Sequence, residues 1–350
     1  MTFRNHAFFI LALVTVMGAC SDTPTQPQTD LEIAFSREDG TLRQNIYVMG
    51  IDGTRPTPLT TDDWAGVSGW SPDGARILYQ VGPGPTQFGL VTIKADGTGL
   101  TSVAGSAFSG KWSPDGSRIA FTSNRDLILN GGAAPTHINQ IYVTGSDGTG
   151  EVRLTTDSAF NDMGSWSPDG AKIVFTRWTR DLVTNQIFVM NASGESQQRL
   201  TNSSSWDLSP EWSPDGSRIA FVRSPMPNGG KHTIVTMNPD GSVQTELTDP
   251  AVDATSPVWS PDGKRIAFIK QGATAWQIAV MNADGSGQAV LTNGVADALD
   301  PSWSPGGDRI AFMDFRDGNW QIYVMNADGT NQTRLAASAQ NDRGPSWRPR

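Results

Sequence analysis

The chain has 350 residues with 26 basic and 35 acidic side chains, three histidines and one cysteine, for a formal net charge of −9. An acidic body without a basic stripe argues against nucleic acid as a partner, because phosphate binding needs clustered Lys and Arg. After an N-terminal leader no segment is apolar enough to cross a bilayer as a helix, which takes about 20 residues. Two histidines outside that leader, His137 and His232, define neither a nucleophilic constellation nor a metal site.

The first predicted element is an export signal over residues 1–19. Arg4 supplies a positive start, Ala7–Met17 an apolar stretch too short to span a membrane, and Gly18-Ala19 small residues at a cleavage point. Arg4 is the leader's one charge with His6 neutral, so cleavage takes the charge from −9 to −10. Cys20 follows directly, and an unpaired thiol is a liability in an oxidising compartment. Val16-Met17-Gly18-Ala19-Cys20 resembles the lipobox of bacterial lipoproteins, with Met17 where Leu is commoner. The resemblance implies lipid attachment at Cys20, and Ser21 in place of Asp implies sorting to the outer membrane. The alternative is ordinary signal-peptide cleavage with Cys20 an incidental thiol. Residues 20–30, including Thr23–Thr29 (TPTQPQT), have almost nothing to bury and read as an extended tether.

From residue 31 onward one unit recurs seven times. Its tryptophans are Trp70, Trp112, Trp166, Trp212, Trp259, Trp303 and Trp347, at intervals of 42 to 54 residues. The motif is WSPDG, with WSPGG at Trp303 and WRPR at Trp347. An IAF-like triplet starts at Ile33, Ile77, Ile119, Ile173, Ile219, Ile266 and Ile310, and an IYVMNADG-like stretch follows each one. A Leu-Thr segment then appears at Leu59, Leu100, Leu154, Leu200, Leu247 and Leu291, with Leu335-Ala336 in the seventh place. Ser-Pro-Asp-Gly suits a type I turn, and Asn-Ala-Asp-Gly an Asx-type turn with glycine in the left-handed position. Short runs of Ile, Val, Phe and Tyr without helical spacing predict strands. Four strands per unit of this length mean propeller blades. The expected fold is therefore all-β: a seven-bladed β-propeller of four-stranded blades over 31–350. The chain opens in phase with a second strand and ends on a lone first strand, so the N-terminal strands are expected to pair with the C-terminal one and close the ring.

WSPDG, a basic residue, Ile-Ala-Phe, IYVMNADG and Leu-Thr together resemble the repeat of the TolB-type propellers, over about residues 31–350. Relatives with that repeat include TolB itself, propeller domains of prolyl-oligopeptidase-type peptidases and oligogalacturonide lyases. The resemblance fixes fold more than function, since the repeated residues are scaffold. Three departures stand out. TolB carries an α/β domain before its propeller, whereas a short tether precedes this one. The peptidases add a hydrolase domain, and no G-x-S-x-G elbow occurs here. The lyases hold a metal with several histidines.

The turn aspartates Asp73, Asp115, Asp169, Asp215 and Asp262 read as turn-formers, as do Asp52, Asp96, Asp147, Asp240, Asp284 and Asp328. No calcium-loop spacing is present. Arg76, Arg118, Lys172, Arg218, Arg265 and Arg309 are expected to tie turn to strand. The turns repeat nearly unchanged on one face, while the variable second-to-third loops and inter-blade links share the other, where function on repeat scaffolds usually lies. Asp63, Asp162, Asp207, Asp253, Asp297 and Asp342 lie four to seven residues before motif tryptophans, and Trp64, Phe160 and Trp206 share those links. Two readings are open: an acidic ring at the channel mouth that attracts cationic segments, or carboxylates that cap links and accept backbone hydrogen bonds. Trp276 and Trp320 are expected to pack between blades, and Trp178, with Trp64 and Trp206, to suit partner contact. The insertion 125–139 is a candidate flap over the channel.

These residues predict a lipid-anchored, non-enzymatic scaffold for an envelope protein or peptide, monomeric, without metal or cofactor, on the periplasmic face of the outer membrane. The competing expectations are a lyase or glycosidase using channel-mouth carboxylates, and glycan recognition by exposed aromatics.

Overall fold

The structure, a computed structural model, describes residues 32–41, 43–61, 64–82, 89–128, 136–178, 184–225 and 229–350. The leader, Cys20, the tether and Asp63 lie outside the described residues. Seven four-stranded antiparallel sheets form the blades, with strands in sequential order. Their first strands are Ala65–Trp70, Ala107–Trp112, Phe160–Trp166, Trp206–Trp212, Ala254–Trp259, Ala298–Trp303 and Asp342–Trp347; the blades are numbered one to seven in that order. As the phase of the repeat predicts, blade seven is assembled from both ends of the propeller. Asp342–Trp347 pairs with Glu32–Glu38, which is followed by Gln44–Gly50 and Thr57–Pro58, in the register Ile33 opposite Trp347 and Arg37 opposite Asp342.

The core is a set of seven wedges, each between two neighbouring blades. The Ile-Ala-Phe triplet explains why. Side chains alternate across a strand, so Ile310 and Phe312 face blade five while Ala311 faces blade seven. Each fully buried phenylalanine contributes about 1.5–3 kcal/mol, and the alanine leaves room for the next blade's larger residues.

Polar staples join the same wedges. The indole N–H groups of Trp70, Trp166, Trp303 and Trp347 donate across to the backbone carbonyls of Ser346, Lys111, Val258 and Ser302, at 2.9–3.2 Å. Arg118 and Arg265 join one blade to the next by stacking on its tryptophan, 4.9 Å over Trp166 and 4.6 Å over Trp303. Within each WSPDG turn the serine hydroxyl donates to the aspartate and accepts the N–H of the residue after the turn, as in Ser113, Asp115 and Arg118. These bonds hold the turn carboxylates below their ordinary range; the Ser113 hydroxyl, then the Ser117 N–H and hydroxyl, lower Asp115 to about 2.

The threonine of Leu-Thr also has a role. Thr60, Thr155, Thr201, Thr248 and Thr292 accept the N–H of the isoleucine near the start of the third strand, at 2.9–3.1 Å. In blade one the structure corrects the sequence reading. Leu100 is 63% exposed, and Val103-Ala104 occupy the place of Leu-Thr, buried at 5% and 7%. There the fourth strand runs longer, over Thr101–Gly105, so the motif match at Leu100-Thr101 falls at the strand's start.

Candidate functional site: the channel and the link face

First strands neighbour one another around the axis and line a channel. Across blades one to five it encloses about 540 Å³, bounded by Val67 and Ser68, Ser109 to Lys111, Met163 to Ser165, Ser209 to Glu211, and Thr255 to Val258. Every first strand carries a β-bulge against its second strand. In four blades the bulge puts a non-glycine residue in the left-handed region: Ser109, Ser209, Ser256 and Asp300, with φ of 50–53°. Such residues cost roughly 1–2 kcal/mol each in backbone strain, and all four are solvent-accessible. Bulges of this kind re-aim side chains beside functional sites.

Among the described residues, the acidic residues of the links do not form one ring of equivalent carboxylates. Their offset from the motif tryptophan decides what each does, and a shift of one residue changes the partner. Asp207 and Asp342 sit five before their tryptophans, directly opposite Arg223 and Arg37 on the second strand. Both are fully buried. Arg223 holds Asp207 at 2.8 and 3.1 Å, and Arg37 holds Asp342 at 2.6 and 2.8 Å, each bidentate. Arg37 also lies over Phe35 and Tyr47, and Arg223 over Phe221. Burial pushes the Asp342 carboxyl up, against the pull of Arg37. Blade three repeats the device with Asn161, which accepts from Arg177 at 2.7 Å.

Asp253 and Asp297 sit six before their tryptophans and cap the third strand of the preceding blade. They accept the N–H of His232 at 2.7 Å and of Trp276 at 2.8 Å, and Asn341 does the same for Trp320. Burial raises Asp253, but the His232 N–H, the His232 imidazole at 2.8 Å and Lys231 at 3.1 Å outweigh it and hold the group low. Asp162, four before Trp166, is accessible and bonded to the Asn139 side chain at 2.7 Å. Its recessed position raises its pKa, partly offset by that bond.

Trp64 is 41% exposed. Phe160 is half-buried against Trp178, with ring centroids 5.2 Å apart, and Trp206 is half-buried. Trp276 and Trp320 pack between blades five and six and between six and seven. His137 bonds the Asn124 carbonyl at 2.8 Å, and no group of three or more His, Cys, Asp or Glu side chains converges among the described residues.

Sequence reading missed two charged groups that line the channel, Lys111 and Glu211, each immediately before a motif tryptophan, and the first-strand carboxylate Asp300, three before Trp303. Glu211 and Asp300 are both raised by desolvation, with Lys111 and Arg343 respectively pulling the other way. The signal was present as variation within a constant frame. The residue before the motif tryptophan is Gly, Lys, Ser, Glu, Val, Ser and Ser around the ring.

Seven sequential antiparallel blades around a lined channel define a seven-bladed β-propeller. The chain belongs to the TolB beta propeller domain family, which matches residues 30–181 and 179–299. No curated relative matches the sequence. Among solved structures it is similar to TolB from Acinetobacter baumannii, at 20% identity over 88% of this chain and 79% of that one, with a TM-score of 0.59. It is also similar to the oligogalacturonate lyase of Vibrio parahaemolyticus, at 15% identity over 83% and 85% with a TM-score of 0.64. A third is the β-propeller domain of the Trilobed protease from Pyrococcus furiosus, at 9% identity over 89% and 95% with a TM-score of 0.65. At these identities the likeness is one of fold.

Proposed function

We propose that the protein is a cell-envelope binding propeller, TolB-like by analogy, that receives a protein or peptide segment at its link face and channel mouth without chemically altering it. One observation carries this reading: the contrast between the two faces. On the turn face each WSPDG aspartate is committed to its own turn. On the other face and in the channel stand exposed Trp64, the Phe160–Trp178 pair, and the accessible carboxylates of Asp162 and Asp300. A cationic segment suits those two recessed acids, because it offsets the desolvation that raises them. Lipidation at Cys20, followed by the tether 20–30, gives a periplasmic position on the outer membrane and a monomeric scaffold. The test takes the partner recovered by cross-linked pulldown from membranes. Asp162→Asn with Asp300→Asn should slow its association at low salt, and added salt should erase the difference; an unchanged association rate at low salt contradicts the reading.

A second reading has one observation in its favour. Carboxyls raised by burial are what a general acid requires, and Glu211 is such a group. Turnover of an oligosaccharide such as oligogalacturonate that Glu211→Gln abolishes would replace the binding reading with a lyase or glycosidase.

A further inference from the structure

Among the described residues, the stretch of channel lined by blades one to five holds one lysine and one glutamate, on strands two blades apart. Lys111 precedes Trp112 in blade two and Glu211 precedes Trp212 in blade four, and both line the same cavity of about 540 Å³. Their charges act on each other, yet among the described residues they form no ion pair with one another. Between them on blade three lie Gly164 and Ser165. Other polar groups of the wall are uncharged: Ser68, Ser109, Ser209, Thr255 and Ser256.

The walls that carry the two charges are rigid. A Cβ on Gly164 would lie 2.6 Å from the carbonyl oxygens of Pro210 and Val174, so blades three and four abut with no room for a side chain. A Cβ on Gly110, next to Lys111, would meet Leu90 at 2.8 Å and Leu78 at 3.0 Å. Pro210 sits beside Glu211 and Pro257 beside Val258, fixing the backbone further. Neither charge can readily reach the other by a shift of its strand, and a site on packed strands holds its geometry better than one on loops.

Opposite charges that line one cavity without pairing discriminate by sign. A simple anion that approaches Lys111 meets Glu211 as a repulsive neighbour, and a simple cation at Glu211 meets Lys111. A molecule that carries both an ammonium and a carboxylate satisfies each side, with the serine and threonine hydroxyls available to its amide or hydroxyl groups. The cavity is of the size that small-molecule sites occupy. We infer that the channel interior, between Lys111 and Glu211, is a binding site for a small zwitterion of amino-acid to short-peptide size, with its carboxylate toward Lys111 and its ammonium toward Glu211. This goes beyond the reading of the link face: it concerns free small molecules inside the channel and stands whether or not a protein segment occupies the mouth.

The probes are glycine, diglycine and triglycine, titrated calorimetrically into the folded protein beside the N-acetylated and C-amidated forms of each. The expected result is saturable one-to-one binding of at least one free-ended probe, with affinity lowered about tenfold or more by either cap. Glu211→Gln should shift preference toward the acetylated anion and Lys111→Met toward the amidated cation. The exchange Lys111→Glu with Glu211→Lys should restore preference for the free-ended probe, which separates loss of charge from loss of fold. Thermal unfolding of each variant checks that the ring is intact, and Asp240→Asn and Asp284→Asn in the turns between third and fourth strands should leave the titration unchanged. Failure of all three free-ended probes to saturate at millimolar concentration, or equal affinity for the capped forms, overturns the inference. Binding that persists undiminished in both single variants overturns it as well.

Discussion

The guanidinium of Arg348 lies 5.3 Å over the ring of Trp70, although 277 residues separate them in sequence. The same arginine donates to the Gly74 carbonyl at 2.8 Å and pairs with Glu32 at 2.7 Å. Arg348 stands where the other repeats carry serine. It therefore closes the ring as Arg118 and Arg265 join interior blades, with a further tie to the first strand of the described chain.

Arg348→Ala should lower the unfolding midpoint by the equivalent of about 1–3 kcal/mol, from one stacked cation, one charged hydrogen bond and one half-exposed ion pair. Deleting 344–350 removes the strand as well as the staple and should cost more, since buried Trp347 goes with it. Denaturant unfolding measures both, and a deletion no worse than Arg348→Ala would mean that the strand itself does not hold the ring.

Two glycines with the same backbone separate strain from crowding. Gly53 and Gly150 have φ of 75° and 65°. A Cβ on Gly53 would lie 1.8 Å from the Leu335 carbonyl oxygen across the closing interface, whereas Gly150 has open space. Gly150→Ala should cost about 1 kcal/mol, the left-handed penalty alone. Gly53→Ala should cost several-fold more, as the blades must part. Equal losses in a chemical-denaturation series would show that the blade seven to blade six contact is not close.

Blade six lacks the threonine hydroxyl that caps the third strand in five other blades. Ala336 stands fourteen residues after Ile322, in the place that Thr292 holds relative to Ile278. Ala336→Thr should stabilise by about 0.5–1.5 kcal/mol. A lowered melting temperature would mean that the site cannot accept a hydroxyl.

Stability should respond to pH in two opposite ways. Turn aspartates such as Asp115 are depressed in the fold, so their contribution is complete above the unfolded carboxylate pKa and is lost as pH falls through that value toward about 2. Asp162, Glu211 and Asp300 are raised, so their contribution is complete below the unfolded value and is lost as pH rises through the folded one. Asp115→Asn should flatten the acid limb of a melting-temperature profile between pH 2 and 4, while Asp300→Asn should raise stability at neutral pH. The reverse assignment of these two effects would contradict the placement of the groups.

The fold was legible because the repeat states its period, strand order and phase in residues that all do the same work: Trp70 to Trp347, the Ile-Ala-Phe triplets and the turn glycines. The site was less so, because it lives in register. Asp207 and Asp253 look alike in sequence, yet one residue of offset sends the first to an arginine across its own blade and the second to a neighbour's backbone. A sequence signal did exist. A polar residue five before the tryptophan accompanies arginine four after the triplet's isoleucine in blades three, four and seven: Asn161 with Arg177, Asp207 with Arg223, Asp342 with Arg37. In the remaining blades alanine holds that place, at Ala65, Ala107, Ala254 and Ala298. Lys111 and Glu211 could be placed inside the channel only once the bulges had fixed the register of their strands.

The reading that function resides on the link face is tested most directly by photo-cross-linking in intact cells. A photoreactive residue replaces Trp64, Trp206 or Phe160 on that face, or Asp240, Asp284 or Asp328 in the turns between third and fourth strands. The expected result is an adduct of one common mass from the link-face positions and none from the turn positions, at matched protein levels. Adducts from the turn positions alone, or equally from both faces, would contradict it.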